Sequence, residues 1–121
     1  MMNKNALLKN MCEMAKYSLE PLISDFEICS SNPPKSMPKD ILHQIYTVTC
    51  DIKALYQTIL EALDTYNKLG IDNVDATECG EKAALEYNEK VDRILDTHRK
   101  LLGYVLMDGD SYKYMLEKEG E

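Results

Sequence analysis

The segment 41–66 carries an apolar residue at alternating steps of four and three positions, without a break. The series is Ile41, Ile45, Val48, Ile52, Leu55, Ile59, Ala62 and Tyr66. This heptad spacing is typical of a helix that packs lengthwise against other helices. A second apolar row beside the first consists of Leu42, Tyr46, Tyr56, Leu60 and Leu63. Two rows predict contact with two neighbours, which favours a bundle of at least three helices over a two-stranded coil.

The chain on either side of this segment repeats the same spacing. The first series is Leu8, Cys12, Ala15, Leu19, Leu22, Phe26 and Cys29. The third is Gly80, Ala84, Tyr87, Val91, Ile94, His98, Leu101 and Val105, flanked by Leu95, Leu102 and Leu106. We therefore predict an all-α fold in one domain, 1–121, with three long helices in an antiparallel bundle. The expected helices cover about 4–29, 38–69 and 75–106, and a short C-terminal helix covers 111–118.

Prolines and glycines mark where these helices begin, bend or end. Pro21 removes one backbone hydrogen bond inside the first helix, so we expect either a kink near 17–21 or a division into two shorter helices. The proline-rich segment 30–38 predicts a stiff connector. Gly70 is expected to end the second helix, and Asp72 or Asp75 to cap the third.

The charge of the chain bears on its partners. Fourteen basic and 21 acidic residues give a net charge of −7, which disfavours direct binding to nucleic acid or to an anionic membrane. An acidic surface instead suits a basic protein partner. The sequence predicts neither a transmembrane helix nor a signal peptide, and its four isolated cysteines indicate reduced thiols in a cytoplasmic protein.

Paired carboxylates are the sequence feature closest to a catalytic motif. Glu61 and Asp64 on the second helix, with Glu78 and Glu81 on the third, form pairs three residues apart. Similar pairs on facing helices hold Mg²⁺ in nucleoside triphosphate pyrophosphatases of the MazG type. The order and spacing here differ from that pattern, and the phase of the apolar rows turns Glu61, Asp64 and Glu78 outward. A solvated face is therefore the preferred interpretation, and a metal site is the alternative.

Histidines and aromatic residues give fewer indications of chemistry. His98 lies between Ile94 and Leu101 on the apolar face, which predicts a core or rim residue with a satisfied hydrogen bond. Alternatively, His98 and Tyr87 contact a small ligand in a pocket between helices or subunits. No catalytic triad or glycine-rich phosphate loop is visible, so we expect neither an enzyme nor a cofactor.

Two surfaces are candidates for binding another protein. Glu78, Glu81, Glu86 and Glu89 form an acidic face on the third helix. Tyr112, Tyr114 and Met115 lie in the C-terminal tail, which is expected either to pack over the end of the bundle or to contact a partner.

The sequence as a whole favours a small acidic protein that acts by protein–protein interaction. Such a protein would be an adaptor, an assembly subunit or a phage-type inhibitor of a basic, nucleic-acid-handling partner, and the wide apolar arc of the second helix favours a homodimer. The alternatives are a small-molecule or nucleotide-binding protein, and a MazG-like metal-dependent nucleotide hydrolase.

Overall fold

The computed structural model describes residues 3–107, which form three packed helices. They are α1 (Lys4–Ser31), α2 (Lys39–Leu69) and α3 (Val74–Met107). The prediction of an all-helical fold is confirmed for this part of the chain. The predicted short helix at 111–118, with Tyr112, Tyr114 and Met115, lies outside the described residues.

Helix α1 begins at an asparagine cap and runs unbroken through its proline. The Asn3 side chain accepts a hydrogen bond from the Ala6 amide at 2.9 Å, which satisfies one of the free donors of the first turn. The helix continues through Pro21 to Ser31, two residues beyond the predicted end. The proline-rich connector therefore begins at Asn32.

Helix α2 is bounded by a proline and a glycine. Pro38 is its N-cap residue and Asp40 lies in its first turn, where a carboxylate complements the helix dipole. At the other end, Gly70 has a φ of 89°, a conformation open to glycine and strained for other residues. The predicted end of α2 is therefore correct, and its cause is the backbone freedom of this glycine.

Helix α3 is capped by a residue other than the predicted aspartates. The Asn73 side chain accepts hydrogen bonds from the amides of Asp75 at 2.9 Å and Ala76 at 3.1 Å. Asp75 lies in the first turn of the helix. Asn, Asp and Ser are similarly effective caps, so local sequence did not distinguish Asn73 from its acidic neighbours.

Contacts between helices show how the chain runs. From Glu20 to Glu27 along α1, the partners on α2 run backward from Tyr56 to Lys53. From Asp51 to Tyr66 along α2, the neighbours on α3 run backward from Arg93 to Gly80. Helix α2 is therefore antiparallel to both α1 and α3.

The core follows the predicted apolar rows of α1 and α2 closely. On α2 the buried residues include Ile45, Val48, Ile52, Leu55, Ile59, Ala62 and Tyr66. Helix α2 contacts both other helices more extensively than they contact each other. The predicted second row is confirmed in part: Leu42, Tyr56 and Leu63 pack against the core, whereas Tyr46 is 42% exposed.

The predicted apolar row of α3 is partly wrong. Ala83 and Thr97 are buried, whereas Ala84 and Val91 are only half-buried. Leu95 and Leu102 are exposed by 43% and 37%. The buried face is rotated because α3 packs more closely on α2 than on α1, a preference that spacing alone does not contain.

Between residues 3 and 107, no helix is both long enough and apolar enough to cross a membrane.

Candidate functional site

A groove opens between α1 and α3, where the helix packing is least extensive. It contains a half-open cavity of about 250 Å³. We call this site the methionine groove, and its lining is Met11, Cys12, Met14, Ala15, Ser18, Ile59, Ala83, Ala84, Tyr87 and Asn88. The lining is mainly apolar, with Ser18 and Asn88 as polar exceptions.

One wall of the groove belongs to a row of exposed apolar side chains on α1, of which Met11 and Met14 line the cavity and Leu7 lies one turn before Met11. Leu7, Met11 and Met14 follow one another at steps of four and three, so they share one side of the helix. Their exposures are 52%, 44% and 69%. None of the three was among the predicted site residues, although their spacing is visible in the sequence beside the buried row of α1.

The opposite wall belongs to α3 and contains two small residues, Ala83 and Ala84. Ala84, Tyr87 and Asn88 line the cavity, and Leu85 is 59% exposed beside them. At the end nearest Gly80, the Cys12 thiol lies 3.9 Å from the Gly80 carbonyl oxygen. The small side chains of α3 leave the space that the methionines border.

Most of the predicted acidic face lies on the outer side of α3. Glu78, Glu81 and Glu89 are exposed, whereas Glu86 is half-buried. The Lys4 ammonium lies 4.0 Å from the Glu81 carboxylate. An exposed ion pair at this distance contributes little stability, so these carboxylates are accessible to an external cation.

His98 forms a buried pair with an aspartate that the sequence analysis did not single out. Its Nε2 atom lies 2.7 Å from Oδ2 of Asp25, and the side chains are 15% and 3% exposed. The Phe26 ring meets the imidazole edge-on at 5.7 Å between ring centres. A polar pair of this kind fixes the position of α1 against α3, since removing either partner leaves the other desolvated.

The structure does not bring together the two residues of the predicted ligand pocket. Tyr87 lines the methionine groove, whereas His98 lies eleven residues further along the same helix. That separation is about 16 Å along the helix axis. His98 instead pairs with Asp25, a carboxylate among the apolar residues of α1 that the sequence analysis did not select.

The carboxylates of the alternative metal site do not form a metal-binding arrangement among the described residues. Asp64 pairs with Lys68 at 2.9 Å, and Glu61 and Glu78 are exposed. Within the described range 3–107, no group of three or more His, Cys, Asp or Glu side chains is placed to hold a metal ion.

A second cavity, of about 370 Å³, lies between α2 and α3, and most of its lining residues are polar. It is lined by His43, Gln44, Thr47, Val48, Arg93, Asp96, Thr97 and Lys100. The Arg93 guanidinium lies 2.8 Å from the Asp51 carboxylate, and the Lys100 ammonium lies 3.4 Å from Asp96. Because carboxylates neutralise these cations, the cavity does not form a concentrated positive site for an anion.

The thiols have different surroundings. Burial raises the pKa of Cys29 to about 11. The pKa of the Cys12 thiol is also raised, mainly by burial and to a smaller extent by the nearby Glu13 carboxylate. Since the thiolate is the reactive form, neither buried cysteine is arranged as a nucleophile, and Cys50 is the exposed thiol among the four.

Comparison with models of known protein families, with curated proteins and with solved structures found no match.

Proposed function

We propose that this protein acts by binding another protein through the methionine groove. The observation that carries the proposal is the exposed row Leu7, Met11 and Met14 beside an apolar cavity. Contiguous exposed apolar side chains of this kind are a common mark of interaction surfaces. Methionine suits such a surface, because its flexible thioether side chain adapts to the shape of a partner.

The shape of the groove favours an amphipathic helix as the bound element. Two near-parallel helices with a gap between them offer a trough in which a third helix places its apolar side chains. The cavity of about 250 Å³ is slightly smaller than the pockets that enclose a small-molecule ligand, which hold about 300–1,000 Å³. Side chains inserted from a partner helix fit this volume better than a whole ligand.

The acidic outer side of α3 favours a basic partner. Glu78, Glu81 and Glu89 are exposed on the α3 side, and the chain carries a net charge of −7. A basic flank on the bound helix would meet these carboxylates, which increases the rate of association and selects against acidic partners. In a symmetric dimer the acidic patch of each copy belongs to the same interface, so a basic helix is the preferred occupant over a second copy.

Titration with a designed peptide tests the proposal. The probe is a helical peptide with leucines at steps of three and four on one side and lysines flanking them. We expect the isotope-labelled methyl signals of Met11 and Met14 to shift with saturation. The methyl signal of Met37, which is buried in the core, serves as the internal control.

Substitutions distinguish binding in the methionine groove from unspecific electrostatic attraction to the acidic protein. Met11→Lys combined with Met14→Lys is expected to weaken peptide binding at least tenfold, whereas Tyr46→Lys, at an exposed position of α2, leaves it unchanged. Replacing Glu78, Glu81 and Glu89 by glutamine is expected to weaken binding and reduce its salt dependence. Equal affinity of the wild type and the methionine variant for the peptide would overturn the proposal.

Native mass spectrometry of the same proteins tests whether a second copy of this chain occupies the groove. A dimer that the paired methionine substitutions dissociate would show a second copy in the groove, and the proposal of a basic partner helix would then be rejected. A retained small-molecule mass would favour the ligand-binding alternative in the same way.

A further inference from the structure

Leu95 and Leu102 form a second exposed apolar surface on α3. They are 43% and 37% exposed. Asn88, Leu95 and Leu102 are spaced seven residues apart. They therefore lie on nearly the same side of the helix. Because Asn88 lines the methionine groove, the Leu95–Leu102 surface continues that side of α3 toward its C-terminal end.

This surface adjoins the buried pair of Asp25 and His98. His98 follows Leu95 by three residues and precedes Leu102 by four, so it is a neighbour of both on the helix. Its side chain retains 15% exposure although its partner is almost fully buried. A segment lying on the two leucines would therefore also shield the open edge of the imidazole.

We propose that residues 108–121 fold back over the Leu95–Leu102 surface of the same chain. Leu102 lies five residues before Met107, where the described part of α3 ends. The residues that follow, Asp108-Gly109-Asp110, are of the types that reverse the chain direction. The tail therefore starts next to the surface that it covers.

The reach of the tail matches the length of this surface. Leu102 and Leu95 lie five and twelve residues before Met107, or about 8 and 18 Å along α3. A three-residue connection of up to about 10 Å, followed by a helix of about 12 Å over 111–118, spans this interval. The methionine groove is out of range, since Asn88 precedes Met107 by nineteen residues, or about 28 Å of helix. The tail and an external partner thus occupy different parts of the same side of the bundle.

The pattern of the tail provides the complementary apolar side. Tyr112, Met115 and Leu116 follow at steps of three and one, so a helix over 111–118 places them on one side. Tyr114 falls on the opposite side of that helix. In the proposed contact, Tyr112 would contribute apolar area while its hydroxyl stays in water, as is usual for tyrosine at the edge of an apolar contact.

Paired variants of the full chain test this contact. The readout is the isotope-labelled methyl signals of Leu95 and Leu102. We expect Met115→Ser combined with Leu116→Ser to shift these signals and to speed amide exchange in the last turns of α3. The matched control, Tyr114→Ser combined with Lys118→Ser, alters the opposite side of the tail and is expected to leave them in place.

Signals of Leu95 and Leu102 that stay unchanged in the first variant would overturn the proposal. A shift of the Met11 and Met14 methyl signals in that variant, instead of those of Leu95 and Leu102, would also overturn the proposal. The expected shifts persist on dilution, whereas shifts that vanish on dilution would assign the surface to the tail of a second copy and reject the intramolecular contact.

A second measurement leaves the apolar residues of the tail intact. A nitroxide attached at Lys118→Cys, with Cys50→Ser removing the exposed native thiol, is expected to broaden the methyl signals of Leu95 far more than those of Met14. Equal broadening at both positions contradicts the proposal. Peptide binding at the methionine groove is scored on Met11 and Met14, so the two proposals fail independently.

Discussion

The phenol ring of Tyr66 on α2 fills the space that a Cβ atom at Gly80 of α3 would occupy. An ideal Cβ there would lie 2.9 Å from Cε2 of the ring and in collision with its hydroxyl oxygen. Tyr66 is 2% exposed, so the ring is enclosed and has little freedom to move aside. The missing side chain at Gly80 is thus what lets α2 and α3 pack around this tyrosine.

Gly80→Ala is therefore expected to lower the free energy of unfolding by about 1–3 kcal/mol, the usual cost of overpacking a core. Gly103→Ala is the matched control, because Gly103 is also helical and nothing lies within 4 Å of its added Cβ. That variant is expected to gain about 0.5–1 kcal/mol from helix propensity. Urea denaturation measures both, and a stabilising effect of Gly80→Ala would contradict the packing described here.

His98→Ala is expected to lower the free energy of unfolding by about 3 kcal/mol, because the buried Asp25 carboxylate loses the imidazole beside it. His43→Ala is the control, since His43 is exposed and surface substitutions usually change stability by less than about 0.5 kcal/mol. Chemical denaturation near neutral pH measures both variants. Similar losses for the two histidines would exclude a structural role for the pair.

Pro21→Ala is expected to stabilise the protein by about 2 kcal/mol. Helix α1 runs unbroken through this position, and alanine supplies the N–H that proline lacks for the Tyr17 carbonyl. Part of that gain is offset because alanine makes the unfolded chain more flexible. Pro38→Ala, at the N-cap of α2, restores no such bond and is the control in thermal denaturation.

A loss of stability in Pro21→Ala would have a different meaning. It would show that the kink predicted near 17–21 adapts α1 to its neighbours, and that a straight helix packs less well.

Alkaline stability depends on the Cys29 thiol. Burial raises its pKa from the ordinary value of 9.0 to about 11. Between these two values the unfolded chain has released the thiol proton and the folded protein still holds it. The free energy of unfolding therefore falls as the pH rises through this window, and the contribution is complete below about pH 9.

Urea denaturation at several alkaline pH values checks this dependence. Cys29→Ala is expected to lose this part of the slope while keeping the part that arises from other buried groups, such as Cys12 and Tyr66, whose pKa values are also raised by burial. Parallel pH profiles for the wild type and the variant would contradict it.

Local sequence signals predicted most of the helical framework. The end of α2 at Gly70 follows from a conformational preference that operates within a few residues. The buried row of α2 was also predicted correctly, because its strict heptad spacing keeps one side of the helix against the other helices. The choice of Asn73 over Asp72 and Asp75 as a cap was not, since all three side chains can accept the same hydrogen bonds.

The candidate site was harder to predict from the sequence. The sequence analysis selected Tyr87, which lines the methionine groove, and missed Met11 and Met14. Their spacing is present in the chain, but an apolar row beside a buried row is usually buried as well. Asp25 was missed for the opposite reason, because a carboxylate among apolar residues is recognised as buried only when its partner is known.

The sequence by itself determined that residues 3–107 form three helices, with bounds correct to within two residues, because caps, prolines, glycines and heptad spacing act locally. Only the tertiary structure decided how each helix is rotated about its axis. Rotation depends on contacts between distant segments, such as Tyr66 with Gly80 and Asp25 with His98. The rotation of α3 toward α2 exposes Leu95 and Leu102, and the looser contact with α1 leaves the methionine groove open.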